Sequence, residues 1–191
     1  MTKIRCDWCS NDPLYIAYHD TEWGVPIYDD QLLFEFLVLE GMQAGLSWFT
    51  ILKKRKAFRI AFDNFNAKKI AGYDSHKISL LLNNTGIIRN KLKIHAAIKN
   101  AETFLEIKNE WDSFSNYIWH FVNSHPIQNN WKNAKQVPTK TVISDLMSKD
   151  LKRRGFKFVG STICYAYMQA VGMVNDHKTN CFRHKELGKQ K

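Results

Sequence analysis

The chain has 191 residues, 45% of them hydrophobic, enough to build a core in one domain or two small lobes sharing a cleft. Lys plus Arg number 28 against 18 Asp plus Glu, a net charge of +10 that draws the protein toward polyanions, of which nucleic acid is the commonest. The opening MTKIRCDWC leads into polar chain with no signal-peptide pattern, and no stretch approaches the roughly 20 apolar residues of a membrane span. A cytoplasmic setting is expected, in which the four cysteines bind metal or are simply buried rather than paired as disulfides.

Taken in chain order, the hydrophobic spacing is helical and lacks the period-two alternation of strands, so the expected class is all-α. Asp29 and Asp30 cap a helix through Leu32, Leu33, Phe36, Leu37 and Glu40. The glycines of Gly41-Met42-Gln43-Ala44-Gly45-Leu46 are expected to break it. Ser47 caps a second helix carrying Trp48, Ile51, Leu52 and Phe58. A short helix runs from Ser75 through Leu82, a longer stripe spans residues 90–107, and another helix covers Phe114 to Val122. Gln128 to Gln136 and Pro138 mark the longest loop. Thr141 caps a helix ending near Arg154, and the last helix spans Ser161 to Gly172.

Three groups of residues carry chemistry. Cys6 and His19 lie near the start, and His177 and Cys181 stand i, i+4 near the end. Two thiolates and two imidazoles make a closed tetrahedral set for a structural zinc. Buried cysteines with hydrogen-bonded histidines fit the same spacing. The second group is aromatic, with Trp8, Tyr18 and Trp23 beside Cys6 and His19, and Trp48 opening the helix after Glu40, a carboxylate at the unfavourable end of a helix dipole. Such a box suits a flat, electron-poor ring, although each aromatic could be ordinary core. The third is Lys152-Arg153-Arg154-Gly155-Phe156-Lys157-Phe158-Val159-Gly160-Ser161 between two predicted helices, the pattern of a helix–hairpin–helix. Gly155 and Gly160 permit a tight turn, Arg154 and Lys157 supply charge, and the N–H groups opening the helix at Ser161 can face a phosphate. A plain basic connection reads the same way.

The longer motifs Asp12-Pro13-Leu14-Tyr15-Ile16-Ala17-Tyr18-His19-Asp20, Glu22-Trp23-Gly24-Val25-Pro26, Leu39-Glu40-Gly41 with Gln43-Ala44-Gly45-Leu46-Ser47-Trp48, Gly155-Phe156-Lys157-Phe158-Val159-Gly160 and Val174-Asn175-Asp176-His177 resemble the bacterial 3-methyladenine DNA glycosylase I family. The resemblance covers residues 4 to 181. It implies a helix–hairpin–helix glycosylase fold over residues 1–184, with two helical lobes around a base-binding cleft and a flexible basic tail at 185–191. It implies one structural Zn²⁺ on Cys6, His19, His177 and Cys181. It assigns base recognition to Glu40, Tyr18 and Trp48, with Trp8 and Trp23 in the same pocket and Glu40 as the candidate catalytic group. It also implies that the Gly45-Leu46 turn probes the duplex, with Leu46 as the wedge. The expected partners are double-stranded DNA carrying alkylated bases and free 3-methyladenine as product, for a monomeric protein off the membrane.

One position departs from the wider superfamily. Where many helix–hairpin–helix glycosylases carry a catalytic Asp, this chain aligns Asn175, with Asp176 displaced by one residue. The hairpin offers no lysine suited to Schiff-base chemistry, so hydrolysis without strand cleavage is expected. The rival readings are a zinc-containing nucleic-acid-binding module, which leaves Glu40 idle, and a zinc hydrolase, which needs an open coordination position that four protein ligands deny.

Overall fold

The computed structural model describes residues 3–188. Its elements in order are α1 (Pro13–Thr21), α2 (Asp30–Gln43), α3 (Trp48–Ala61), α4 (Ala67–Ala71), α5 (Ser75–Asn83), α6 (Lys91–Trp111), α7 (Phe114–Trp119), β1 (Ile127–Gln128), α8 (Val142–Arg154), α9 (Ser161–Ala170), β2 (Val174–Asn175) and α10 (Phe182–Leu187). Local chemistry accounts for most helix starts. Asp12, Asp29, Ser47, Asp74, Asn90, Ser113 and Thr141 each accept a hydrogen bond from the first turn of the helix they precede, satisfying one of its orphan donors.

The core is organised around α2. Every residue from Leu33 to Met42 is buried, so this helix is enclosed on all sides, by α3, α6, α7 and α9. The long α6 carries α4, α5 and α7 against its flanks, while α8 and α9 pack as a pair joined by the turn at 155–160. The chain ends are brought together by the segment after α9, where Phe182 N–H donates to the Ile4 carbonyl at 3.1 Å.

Several expectations change. The helix that begins at Asp30 does not stop at Gly41 but runs to Gln43. Gly41 is there for packing: a Cβ on it would come 3.3 Å from Cβ of Phe158. The turn is made by Gly45, at φ +78°. The protein is mostly helical, but β1 and β2 form a parallel pair, Ile127 with Val174 and Gln128 with Asn175, too short to leave an alternating pattern. The expected flexible tail is also corrected. Residues 182–187 form α10, with His184 and Leu187 buried. His184 Nε2 lies 2.8 Å from the Asn129 carbonyl and 2.9 Å from Gln128 Nε2, which ties the helix to the β1 segment. Residues 189–191 of that tail lie outside the described ones.

Gly172 is where conformation and space both demand glycine. Its φ is +75°, and a Cβ would sit 2.4 Å from the Pro26 nitrogen. Gly172→Ala is therefore expected to destabilise the fold by about 3 kcal/mol or more. Equilibrium urea unfolding checks this, and a loss below about 1 kcal/mol would contradict the close approach.

Candidate functional site: a cavity beside a cysteine and histidine cluster

A cavity of about 410 Å³ opens between α1, α2, α3 and α9 and the loop before α8. The five residues expected in the pocket, Trp8, Tyr18, Trp23, Glu40 and Trp48, all line it, and so does Cys6 of the expected metal set. Trp8 and Trp23 meet edge to face at 4.9 Å between centroids, and Tyr18 lies 5.5 Å from Trp48. Trp48 is backed by Phe36, stacked at 6.2 Å, and Phe36 in turn lies under the Arg55 guanidinium at 4.7 Å. Arg55 is buried and paired to Glu35 and Glu22, so the wall behind Trp48 is braced by ions that do not enter the cavity.

Glu40 is buried on α2, and among the described residues its carboxyl has no hydrogen-bonding or charged partner. Desolvation alone pushes its pKa up to about 8. The buried indole N–H of Trp48 also lacks an acceptor. The empty cavity thus presents an uncommitted carboxyl and an uncommitted N–H among aromatic faces. Tyr18 is pushed well above the usual phenol range, first by burial and then by Glu40, so its hydroxyl stays protonated.

The remaining wall was not legible beforehand. Tyr15, Gln43, Tyr165, Gln169, Asp176 and Lys178 line the cavity, as do Ala134, Val137, Pro138 and Thr139 of the long loop. Asp176 is the polar hub of that wall. It accepts from Asn129 Nδ2 at 2.7 Å and Trp131 Nε1 at 2.8 Å on one oxygen, and from Tyr165 Oη and Gln169 Nε2, both at 2.7 Å, on the other. Asn175 turns away from the cavity: its amide donates to Gln128 Oε1 and to the His184 carbonyl. Lys178, a lysine in the wall, gives its Nζ to Asp7. Several of these partners, Asn129 and Trp131 of Asp176 and Asp7 of Lys178, lie more than 40 residues away, beyond the reach of a short motif.

Cys6, His19, His177 and Cys181 come together behind Trp8 and Trp23, all buried, with their ligand atoms within 4.8 Å of one another. The donor set could hold a metal ion. Both histidines are oriented from outside the cluster. His19 Nδ1 lies 2.8 Å from Asp20, itself held by Arg5, and His177 Nε2 lies 3.0 Å from the Trp23 carbonyl. Each ring therefore turns its other nitrogen toward the sulfurs. The neighbouring Cys181 sulfur, and then burial, hold the Cys6 thiol well above its usual range.

The hairpin candidates separate into two kinds. Gly155 takes the left-handed conformation at φ +109° and ends α8. Gly160 has an ordinary φ of −63°, and a Cβ there would meet nothing within 4 Å, so its value is open space in front of α9. Lys157 is exposed, and Ser161 Oγ lies 2.9 Å from Ser144 Oγ. Arg154 does not join them: its guanidinium is paired to Glu110 and Asp150 and covers Tyr117. Leu46 is 39% exposed beside Gly45.

Comparison with known proteins agrees with this geometry. The model of the methyladenine glycosylase family matches residues 8–184. DNA-3-methyladenine glycosylase 1 of Escherichia coli K12 is 50% identical over 177 residues, 93% of this chain and 95% of its own length. The Haemophilus influenzae DNA-3-methyladenine glycosylase is 49% identical over 177 residues, 93% of this chain and 96% of its own length. A crystal structure of a 3-methyladenine DNA glycosylase I superposes with a TM-score of 0.92 at 52% identity, covering 94% of this chain and 98% of that one. The Staphylococcus aureus 3-methyladenine DNA glycosylase I, solved to explain 3-methyladenine recognition, superposes at 0.90 with 36% identity, covering 93% of this chain and 95% of that one.

The Glu40 carboxyl has a consequence for stability. Because its pKa is raised on folding, the protonated form is favoured in the folded state, and the burden on stability grows as pH rises from about 4.5 through about 8. Glu40→Gln removes that burden. Its melting temperature should exceed wild type at pH 9 by more than at pH 5. Parallel melting temperatures at the two pH values would show that the carboxyl is not desolvated.

Proposed function

The chain belongs to the methyladenine glycosylase family, and on that premise we propose how its own residues remove 3-methyladenine from DNA. The reaction is hydrolysis of the N-glycosidic bond, leaving an abasic site for base excision repair. The observation that carries the assignment of residues is Glu40, a buried carboxyl facing an aromatic cavity without a protein partner.

Methylation at N3 gives the adenine ring a positive charge. Cleavage of the bond to C1′ sends its electron pair into the ring and releases a neutral base, while water adds to C1′ and yields a proton. The leaving group needs no acid, so the protein's task is to extract the base, hold it and exclude undamaged bases. A cationic ring entering the cavity meets the faces of Tyr18, Trp48, Trp8 and Trp23, each contact worth about 0.5–2 kcal/mol. The same charge favours ionisation of Glu40, whose carboxylate then accepts from the exocyclic amine and balances the ring. A neutral adenine brings no charge to offset the desolvation of that carboxylate, so selectivity and recognition come from the same group. Asn175 is turned away and Asp176 already accepts four hydrogen bonds, so the pathway relies on no further general base from that segment. The Lys178 amine is occupied by Asp7, in keeping with hydrolysis without strand cleavage.

We read residues 1–184 as one glycosylase domain in which α8, the turn 155–160 and α9 act as a helix–hairpin–helix. Gly155, Lys157, Gly160 and Ser161 are its contacts to a phosphate, supported by the open space before α9. Gly45 and Leu46 fill the gap left by the extracted base. Arg154 is omitted from the DNA contacts because its charge is already used.

The cysteine and histidine cluster fits zinc. With bonds of about 2.3 Å to sulfur and 2.0 Å to nitrogen, tetrahedral sulfur and nitrogen ligands stand roughly 3.5 Å apart. The corresponding separations here are 3.5 Å from His177 to each cysteine and 3.6 Å from His19 to Cys181. Cys6, His19, His177 and Cys181 would hold the ion in a closed set. It would supply a cross-link between the chain ends and no chemistry to the reaction.

Glu40→Gln should lower release of 3-methyladenine from methylated DNA several-fold or more and weaken binding of the free base. Chromatographic quantitation of released base checks this, and wild-type release would remove Glu40 from its role. Changing Cys6 and Cys181 together to Ser should abolish zinc binding and lower the melting temperature before it lowers the activity of the molecules that remain folded. Zinc titration with calorimetry measures both, and undiminished stability would overturn the cross-link.

A further inference from the structure

Two buried polar side chains on α6 are not used by the cavity. Lys93 Nζ donates to the Met42 carbonyl at 2.8 Å and the Ala44 carbonyl at 2.6 Å. Asn100 clasps the hairpin backbone, its amide donating to the Lys157 carbonyl at 3.0 Å and its oxygen accepting from the Lys157 N–H at 2.8 Å. The two residues are seven apart, which places them on one face of the helix about 10.5 Å from each other along its axis.

Each grips a turn from outside it; in the hairpin Asn100 adds to Ser148 Oγ, which donates to the Val159 carbonyl at 2.6 Å, and to the buried side chains of Phe156 and Val159. The turn after α2 is closed by Leu46 N–H on the Gln43 carbonyl and by Gln43 Nε2 on the Leu46 carbonyl, both at 2.7 Å. Those bonds shape the turn but do not place it. The Lys93 ammonium does, by capping the last carbonyls of α2, where the helix dipole favours a cation. In the hairpin, Phe158 is held at φ +54°, an uncommon conformation for a bulky residue. Asn100 fixes the residue before it, and the Phe158 ring lies 5.9 Å from Lys93 Nζ. Open helix ends are ordinarily satisfied by water. Spending a buried lysine and a buried asparagine instead ties both segments to one rigid helix.

We propose that α6 is a spacer that sets the separation between the turn at Gln43–Leu46 and the hairpin at Gly155–Gly160 along a bound duplex, with Lys93 and Asn100 as its positioning residues. The inference rests on the reading that both segments face DNA. Lys93 is not itself a phosphate ligand, because it is 7% exposed and its ammonium is already held by two carbonyls. Nor does it act through the base pocket, since it does not line that cavity and burial alone accounts for the state of Glu40.

The test uses the full chain carrying Lys93→Met, which keeps the stem and removes the charge, and separately Asn100→Asp, which keeps one acceptor and loses the donor. Binding of free 3-methyladenine is read by tryptophan fluorescence. Affinity is measured for a duplex containing a tetrahydrofuran abasic analogue, with 2-aminopurine opposite it to report insertion of the turn. Both variants should bind the free base within about two-fold of wild type. Both should lose about ten-fold or more in abasic-duplex affinity, together with the 2-aminopurine signal. Leu46→Ala and Lys157→Ala serve as companions. If these companions lose duplex affinity and Lys93→Met does not, the spacer is overturned while the DNA-facing reading stands. If the companions bind the duplex normally, the DNA-facing reading falls and the spacer with it. A parallel loss of free-base binding in Lys93→Met and Asn100→Asp would make the two residues general supports of the fold and also overturn the proposal.

Discussion

A carboxyl buried with no partner is expensive, and this fold is arranged to keep one in place. Raising the Glu40 pKa from 4.5 to about 8 corresponds to roughly 5 kcal/mol of disfavour for its ionised form. Only a helix enclosed on every side can hold such a group without letting it turn to water. α2 is that helix, with ten consecutive buried residues and neighbours on all flanks. The apolar packing of Leu33, Phe34, Leu37 and Leu39 offsets what Glu40 costs. A partner inside the protein would relieve the strain and remove the site's demand for a cationic ring. On the proposed reading of Glu40, selectivity is stored as instability in the protein without its base.

The surroundings of the cavity divide the remaining work. On one side the aromatics are braced by the buried ion pairs of Arg55, whose charges are neutralised away from the base. On the other side the wall is an irregular loop whose regular structure is β1 and one 3-10 turn at Ala134–Gln136. Loops of this kind are positioned by whatever polar groups they can find. Here Asp176 supplies both oxygens, collecting Asn129 and Trp131 from the loop and Tyr165 and Gln169 from α9. A carboxylate can accept several such bonds at once, which an asparagine cannot. Its neighbour Asn175 does the complementary task, donating to Gln128 and the His184 carbonyl and so anchoring α10.

Legibility in the sequence followed the range of the interactions. Helices with a cap and a clear apolar stripe, such as α3 behind Ser47 and α8 behind Thr141, were readable because both signals are local. Gly41 was misread because a glycine that serves packing and one that serves a turn look alike in one dimension, and only Phe158 distinguishes them. The end of α10 fell within the expected flexible tail at 185–191 because the polar run Arg183 to Glu186 gives no hint that His184 has partners more than 50 residues earlier. Within the site, five residues were found, Tyr18, Trp23, Glu40 and Trp48 inside long motifs and Trp8 outside them, although Gln43 and Asp176 lie in the same motifs. Asp176, Gln43 and the wall from Ala134 to Thr139 were not, since what makes them a wall is distance in space. Arg154 shows the reverse failure: its charge was legible, but Glu110, 44 positions away, had already claimed it.

The cluster of Cys6, His19, His177 and Cys181 and the cavity share a wall, and this constrains how each can change. Trp8 follows Cys6 by two residues and packs on His19 at 5.2 Å, while Trp23 packs on His177 at 4.6 Å and gives its carbonyl to that ring. The two tryptophans thus sit between the cluster and the edge of the main core, where Trp8 also meets Tyr15 at 5.0 Å. An aromatic face stabilises a cation only when it is held at the right tilt, and a loose indole would spend in lost rotamer freedom much of what the contact returns. Fixing these rings from behind, through buried residues drawn from both ends of the chain, leaves their front faces free for the base. The cluster therefore bears on the cavity by limiting motion of its wall, which Cys6 itself helps to line.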